Sequence, residues 1–351
     1  MKRFIAIAAA IMMIAALGAC SATTDAPVDT PVPTDAPTDA PTPIPTEAPT
    51  PTPVPTPTPL VSNTTGLPYD GDYQPVMVVI ENSRAARPQT GLQTADVVYE
   101  MPIESSITRF VCVFSDNVPE GVMPVRSGRV SFLYIQQEWD ALFMHFGGSG
   151  NGITSMPDYT FYGNDLFGDI KIDIDGNYDR AAKDYYIRVD GVSWVHSVMM
   201  YPALAQQLYD YSPEPLGWLF DNNVVYSGMD ATQINLPMCS GDEDYVSYTY
   251  DADADVYLRF MNGKEFMAAE TEQQVAVKNV IVQYSTYKSK DVYKVWNMTG
   301  GGDADIHIGG VLIKGSWEKP SATAPTVFYD ADGEPIVLRP GNTWIHIHPS
   351  K

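Results

Sequence analysis

The chain has 351 residues, with 43 acidic against 21 basic side chains and a formal net charge of −22. So acidic a balance excludes nucleic acid as a ligand and disfavours direct adhesion to anionic polymers or lipid surfaces. The 44% of hydrophobic residues is enough for a packed core, and 13 of the 29 prolines crowd between residues 27 and 59, so the core must be built downstream.

Lys2 and Arg3 precede an apolar run from Phe4 to Leu17. The run is too short for a stable membrane span and fits a signal peptide. It closes in Leu17-Gly18-Ala19-Cys20, which resembles the lipobox of bacterial lipoproteins. In that class the signal is cut before the cysteine and the thiol is acylated. Residues 1–20 are therefore expected to be a lipoprotein signal, and Cys20 the lipidation site, carrying a palmitate-type anchor. Residues 21–62 are rich in Pro and Thr. Such a tract cannot form a hydrogen-bond ladder and predicts an extended tether with a reach on the order of 100 Å. A lipid and a long stalk would hold a domain off the extracellular face of a cell membrane. That geometry suits the thick wall of a Gram-positive-type envelope.

Residues 63–216 predict a mixed α/β module. Pro75–Ile80, Asp96–Met101, Ile107–Phe114 and Ala141–Phe146 are apolar runs bounded by turn residues and read as strands. Asp184–Val189 reads as a later strand. Val130–Trp139 predicts a helix, and so does Ser197–Tyr209, with Pro202 confined to its first turn or breaking it. Cys112 lies in an apolar run, where a buried thiol is the default. A Cys112–Cys239 disulfide stays open as an alternative. Asp173, Asp175 and Asp179 form a polar turn whose spacing fails the calcium-loop pattern.

Charged residues interrupt these apolar runs, which is costly unless they are paired or used. Glu100 and Glu104 could serve as an acid–base pair. Arg109, Arg126 and Arg129 could hold a carboxylate or phosphate. Asp140, His145 and His196 could orient or transfer a proton. Arg126-Ser127-Gly128-Arg129 precedes a helix, where backbone amides favour anions. Ser127 lacks the G-x-S-x-G setting of a nucleophile. Mutual pairing is the plainest reading of these charges, a ligand cleft the next, and catalysis the last.

The segments IENSRAARPQTGLQTADVVYEMPIESSITRF, MPVRSGR and HFGGS resemble the YerB-like family of bacterial lipoproteins. VHSVMMY resembles that family's histidine-containing segment, with Ser197 standing where Asn is common. Later, KNVIVQY, IKGSWEKP and PGNTWIHI resemble its C-terminal module. The resemblance implies a two-module envelope lipoprotein and no established reaction.

Residues 217–351 predict a mainly-β module, a small barrel or sandwich, which makes the whole chain α+β. Short alternating runs separated by Gly turns carry that reading, among them Tyr245–Tyr250, Asp255–Met261 with an Asn262-Gly263 hairpin turn, Asn279–Tyr284, Val292–Met298, Ala304–Ile308, Val311–Lys314 and Thr343–Ile347. Asp251, Asp253 and Asp255 lack the rest of a calcium loop and read as a solvated acidic turn. His346 and His348 would share a face of a terminal strand. With His307 they form a weak zinc set, and a polar strand face is the simpler reading.

The expected function is a non-catalytic binding module of the cell envelope. It would meet the membrane through Cys20 and take a wall component or a membrane protein as partner, with no cofactor and no metal. The competing reading is a hydrolase of wall glycan or peptide using Glu100 and Glu104. A transporter's solute-binding lipoprotein is a third, disfavoured by the strand-only second half.

Overall fold

A computed structural model describes residues 60–104, 107–148, 173–175, 181–208, 211–239, 245–290 and 293–350. Cys20 and most of the 21–62 tract lie outside these. Pro57–Lys351 form one compact unit.

The core is a mixed sheet. Strand β1 (Val76–Glu81) is buried along its whole length. Five apolar residues in a row have no solvent-facing side, so β1 is central rather than edge. It pairs antiparallel with β3 (Ile107–Phe114), which pairs with β2 (Val97–Glu104). Strand β4 (Leu142–His145) lies parallel to β1 on its other side. Helix α1 (Val130–Trp139) connects β3 to β4 and buries Phe132, Leu133, Ile135 and Trp139. The Trp139 indole N–H donates to Tyr99 Oη at 3.0 Å, so this large buried side chain leaves no donor unsatisfied.

The sheet does not stop where the two predicted modules meet. The last strand, Thr343–Pro349, pairs parallel with β2 on one side and with Asn279–Ser285 on the other. Beyond it run Gly300–Ile308, Val311–Lys319 and Val327–Tyr329. Thirteen described strands join in this sheet. The expected barrel or sandwich is therefore replaced by a shared sheet, together with a separate five-stranded sheet built on Gln233–Pro237, Tyr245–Asp251 and Val256–Met261. The terminal strand is central rather than a polar edge. Trp344, Ile345, His346 and Ile347 are each at most 1% exposed.

The chain is mostly β. Within residues 197–209 the structure departs from the helix predicted there. Val198–Met200 form a strand, because Met200 exchanges backbone hydrogen bonds with Val122. The helix starts only at Pro202 and runs to Leu208; proline fits a first position, where its missing N–H is not needed. The Asp184–Val189 run splits into a 3-10 turn, Ala181–Tyr185, and a strand, Tyr186–Arg188.

Other local readings also resolve. Asn262 and Gly263 both have positive φ, as a tight hairpin turn of this kind requires. Asp255 is not a solvated acid: it also has positive φ, and it is ion-paired with Lys278 and Arg339. Asp173–Asp175 form a strand parallel to β4, while residues 176–180 lie outside the described set. Cys112 and Cys239 are free thiols, Cys112 fully buried.

Candidate functional site

Glu100 sits on β2 beside Thr343–Pro349 and is 0% exposed. A buried carboxylate needs donors, and it has several. Asn82 Nδ2 and Thr108 Oγ1 donate to Oε1 at 3.0 and 2.8 Å. Arg259 Nη2 donates to Oε2 at 2.8 Å, and His346 Nδ1 lies 3.3 Å from the same oxygen. Arg259 Nη1 donates to Tyr248 Oη at 2.7 Å, and that hydroxyl is 2.9 Å from His346 Nε2. Because arginine can only donate, the tyrosine oxygen accepts and its proton points to Nε2. His346 then carries its own proton on Nδ1, facing Glu100.

Burial alone would raise the Glu100 pKa. Arg259, His346 and Thr108 outweigh it and bring it down to about 2. Burial likewise lowers the His346 pKa, against the pull of Glu100. Phe266 and Trp344 stack on the Arg259 guanidinium at 4.8 and 4.6 Å. The network is enclosed and charge-matched, with Arg259 Nε and His346 Nδ1 left without a hydrogen bond among the described residues.

Glu104 belongs to a different group. The β2–β3 register shifts between Pro102 and Glu104, and a bulge of this kind re-aims a side chain. Glu104 pairs with Arg129 in a short contact and with Arg109 at 3.6 Å. The two carboxylates thus share no partner. Burial raises the Glu104 pKa, but Arg129 and Arg109 pull it below its usual range. Burial drives the Arg109 pKa well down, and the neighbouring Arg129 adds to the effect. Arg109 Nη1 donates to Ser127 O at 2.9 Å and Arg129 Nη1 to Gly128 O at 2.9 Å.

A third set lies alongside. Glu81 faces Arg109 across β1 and β3. Its Oε2 is 3.2 Å from Arg126 Nε and 2.8 Å from His196 Nδ1. Arg126 Nη1 donates to Val195 O at 2.8 Å. His145 is buried with Nδ1 2.7 Å from Gly147 O, and its ring lies 4.6 Å from that of Phe143. Ser127 Oγ donates to Phe146 O at 3.2 Å, so its hydroxyl is already engaged. Asp140 is not part of this assembly. It caps the far end of α1 in the left-handed conformation, roughly 15 Å of helix away from Arg129.

One cleft of about 230 Å³ opens beside these residues, lined by Arg126, Ser127, Phe146, Gly148, Arg188 and Trp194 among others. Arg188 is held rigidly there. Its guanidinium lies 3.5 Å from the centre of the Trp194 ring and 5.0 Å from that of Phe146. Its Nη1 donates to Trp194 O at 2.8 Å and to Ser197 Oγ at 3.0 Å. Ser197, the residue whose role the family resemblance left open, therefore orients Arg188. Arg188 makes no ion pair among the described residues, and Trp194 is 70% exposed. Three arginines, 109, 126 and 129, thus stand near two carboxylates, Glu81 and Glu104, and Arg188 shares the cleft with Arg126.

Sequence reading missed Glu81, Asn82, Arg188, Trp194, Tyr248 and Arg259. A signal existed for the first two, which belong to the IENSRAARP segment that carries the family resemblance. Arg188 offered a weaker one, as a cation in the predicted strand Asp184–Val189. The three histidines of the zinc set do not form a metal site: among the described residues no group of His, Cys, Asp and Glu could hold a metal ion.

Residues 64–207 match the N-terminal domain of a family of proteins of unknown function, DUF3048, and residues 234–345 match its C-terminal domain. The chain belongs to this two-module, YerB-like family. A relative from Bacillus subtilis, named "Putative lipoprotein YerB", is 27% identical over 280 residues, 79% of this chain and 81% of that one. The crystal structure of the Bacillus subtilis YerB protein is similar, with a TM-score of 0.68 and 26% identity. The match covers 83% of this chain and 97% of that one. The family boundary falls between residues 207 and 234, yet strands from both sides enter the same sheet.

Proposed function

We propose that this is a lipid-anchored protein on the extracellular face of the cell membrane in a Gram-positive-type envelope, and that its folded part is a non-catalytic binding module. Cys20 would carry the anchor and the Pro/Thr-rich tract would carry the module outward. The relative named as a lipoprotein supports the anchor. The ligand or partner, a wall component or a membrane protein, would enter the cleft at Arg126 and Arg188. One observation carries this reading. The central charges are ion-paired with one another, whereas the Arg188 charge has no acidic partner among the described residues and lies in a cleft.

The hydrolase reading loses its acid–base pair. Glu100 is fully enclosed and charge-paired, while Glu104 sits in a separate arginine cluster. A pair acting on one glycosidic bond must instead flank a common open space. The solute-binding reading needs two similar lobes around a cleft, which a sheet shared between the two halves does not supply.

Affinity capture tests the proposal. The full chain, solubilised in detergent, is cross-linked to membrane and wall fractions. A specific partner or wall component is expected to be retained, and Arg126→Ala to lose it. Equal retention by wild type and variant, or none by either, contradicts the reading.

A further inference from the structure

We infer that the Arg126–Arg188–Trp194 cleft takes an anionic saccharide, its carboxylate or phosphate set between the two guanidinium groups and a sugar ring lying on the exposed indole. This rests on the reading of the cleft as a ligand site and adds the chemistry of the ligand.

The anion half follows from the charges. Arg188 has no acidic partner among the described residues. Its Nη1 is consumed by Trp194 O and Ser197 Oγ, which leaves its remaining donors to a ligand. Arg126 donates Nη1 to Val195 O, and its Nε, 3.2 Å from Glu81 Oε2, is ion-paired without a hydrogen bond, so Nη2 stays uncommitted among the described residues. Arg188, held by the Trp194 ring and carbonyl, and Arg126, held by Val195 O and Glu81, line the same cleft, and planar guanidinium donors suit a carboxylate or a phosphate. In a chain of net charge −22 this cationic spot works against the long-range field. Recognition must therefore be short-range and built from direct hydrogen bonds.

The saccharide half follows from shape. Trp194 is 70% exposed although it is the largest kind of apolar side chain. Arg188 covers one face of its ring at 3.5 Å, so the sugar ring takes the other face and its anionic group reaches past the edge of the indole to the guanidinium groups. The C–H bonds of a sugar ring, polarised by their oxygens, complement an electron-rich indole face. The cleft volume of about 230 Å³ is below the usual range for whole drug-sized ligands, roughly 300–1,000 Å³. It suits one ring with its anionic group, free or at the end of a longer polymer. A peptide added as an extra strand fits less well. The neighbouring Val198–Met200 strand is already paired with Tyr186–Arg188 on one side and bridged to Val122 on the other, so it has no open edge to extend.

The test is calorimetric titration of the full chain in detergent with glucuronate, glucose 1-phosphate, glucose, inorganic phosphate and an acetylated peptide ending in a free carboxylate. A charged sugar should bind about tenfold or more tightly than either glucose or phosphate. Arg188→Ala and Trp194→Ala should each weaken it by about tenfold, the loss expected for one charge-assisted contact or one stacking face. Arg188→Lys should recover only part, since it restores charge without the fork. Trp194 is solvent-facing, so its variant should keep the wild-type melting temperature. If phosphate binds as well as the sugar phosphate and Trp194→Ala changes nothing, the site is a bare anion site and the saccharide inference falls. Binding of the peptide in place of the sugars overturns it in favour of a protein partner. Both outcomes leave the binding-module reading standing. If no probe binds while cross-linked capture persists, the inference alone falls; if capture also fails, both fall.

Discussion

Arg259→Met is expected to destabilise the protein by about 3–5 kcal/mol, the usual consequence of leaving one half of a buried ion pair without its partner. For a unit of this size that lowers the melting temperature by roughly 10 °C. The reason is local. Glu100 and Arg259 are both 0% exposed and 2.8 Å apart. Methionine fills part of the space among Phe110, Phe266 and Trp344 but supplies no charge. Adding Glu100→Gln should recover much of the loss, because Asn82 and Thr108 can still donate to the amide oxygen. The double variant should therefore be more stable than the sum of the single changes predicts.

The same pair has a pH signature. In the wild type the Glu100 pKa is about 2, below its ordinary value of 4.5. A depressed carboxylate contributes stability above 4.5 and loses it as pH falls through about 2. Without Arg259, burial dominates and the carboxyl titrates upward instead. Its penalty then grows as pH rises. The gap between wild type and Arg259→Met in urea unfolding should be widest near pH 7 and narrower near pH 3. A gap that does not change with pH would mean that the loss is packing rather than charge.

Lys319→Met should cost a similar amount, about 3 kcal/mol or more by the same argument. Lys319 and Glu138 are each 1% exposed at the side chain and 2.9 Å apart. Burial lowers the Lys319 pKa, against the pull of Glu138. Lys319 also donates to Ala324 O, and Thr326 donates to Glu138 through its amide and its hydroxyl. The pair therefore fastens the 319–326 segment to α1, across the boundary between the two family modules. Glu138→Gln should cost less, since an amide still accepts from Thr326. Because the sheet is continuous through β2 and Thr343–Pro349, Lys319→Met should lower one cooperative unfolding transition. Two separate transitions would contradict a shared core.

Much of the β structure was legible because strands buried on both faces read as unbroken apolar runs, as in β1 and β3. α1 was legible for its length and its flanking turns. The position of the last strand was not. Thr343, His346 and His348 give it the look of a polar edge, and only partners far away in sequence neutralise them: Glu100 and Tyr248 for His346. Arg259 lies 159 residues from Glu100, and no local pattern announces such a pairing. The bulge at Pro102–Glu104 separated two carboxylates that simple alternation would place on one face. Asp140 looked chemical and proved conformational, a left-handed residue closing α1. In the cleft, Arg126 and Ser127 were visible in the PVRSGR segment. Arg188 and Trp194 gain meaning only once the Tyr186–Arg188 and Val198–Met200 strands pair and bring them beside Arg126.

Hydrogen–deuterium exchange of the full chain in detergent, with and without a solubilised envelope extract, tests most directly whether the cleft is the working surface. Added protection is expected in residues 125–128 and 186–198 and is expected to vanish in Arg126→Ala. Protection confined to the opposite sheet edge at Val311–Lys319 and Val327–Tyr329, or no protection anywhere, would contradict it.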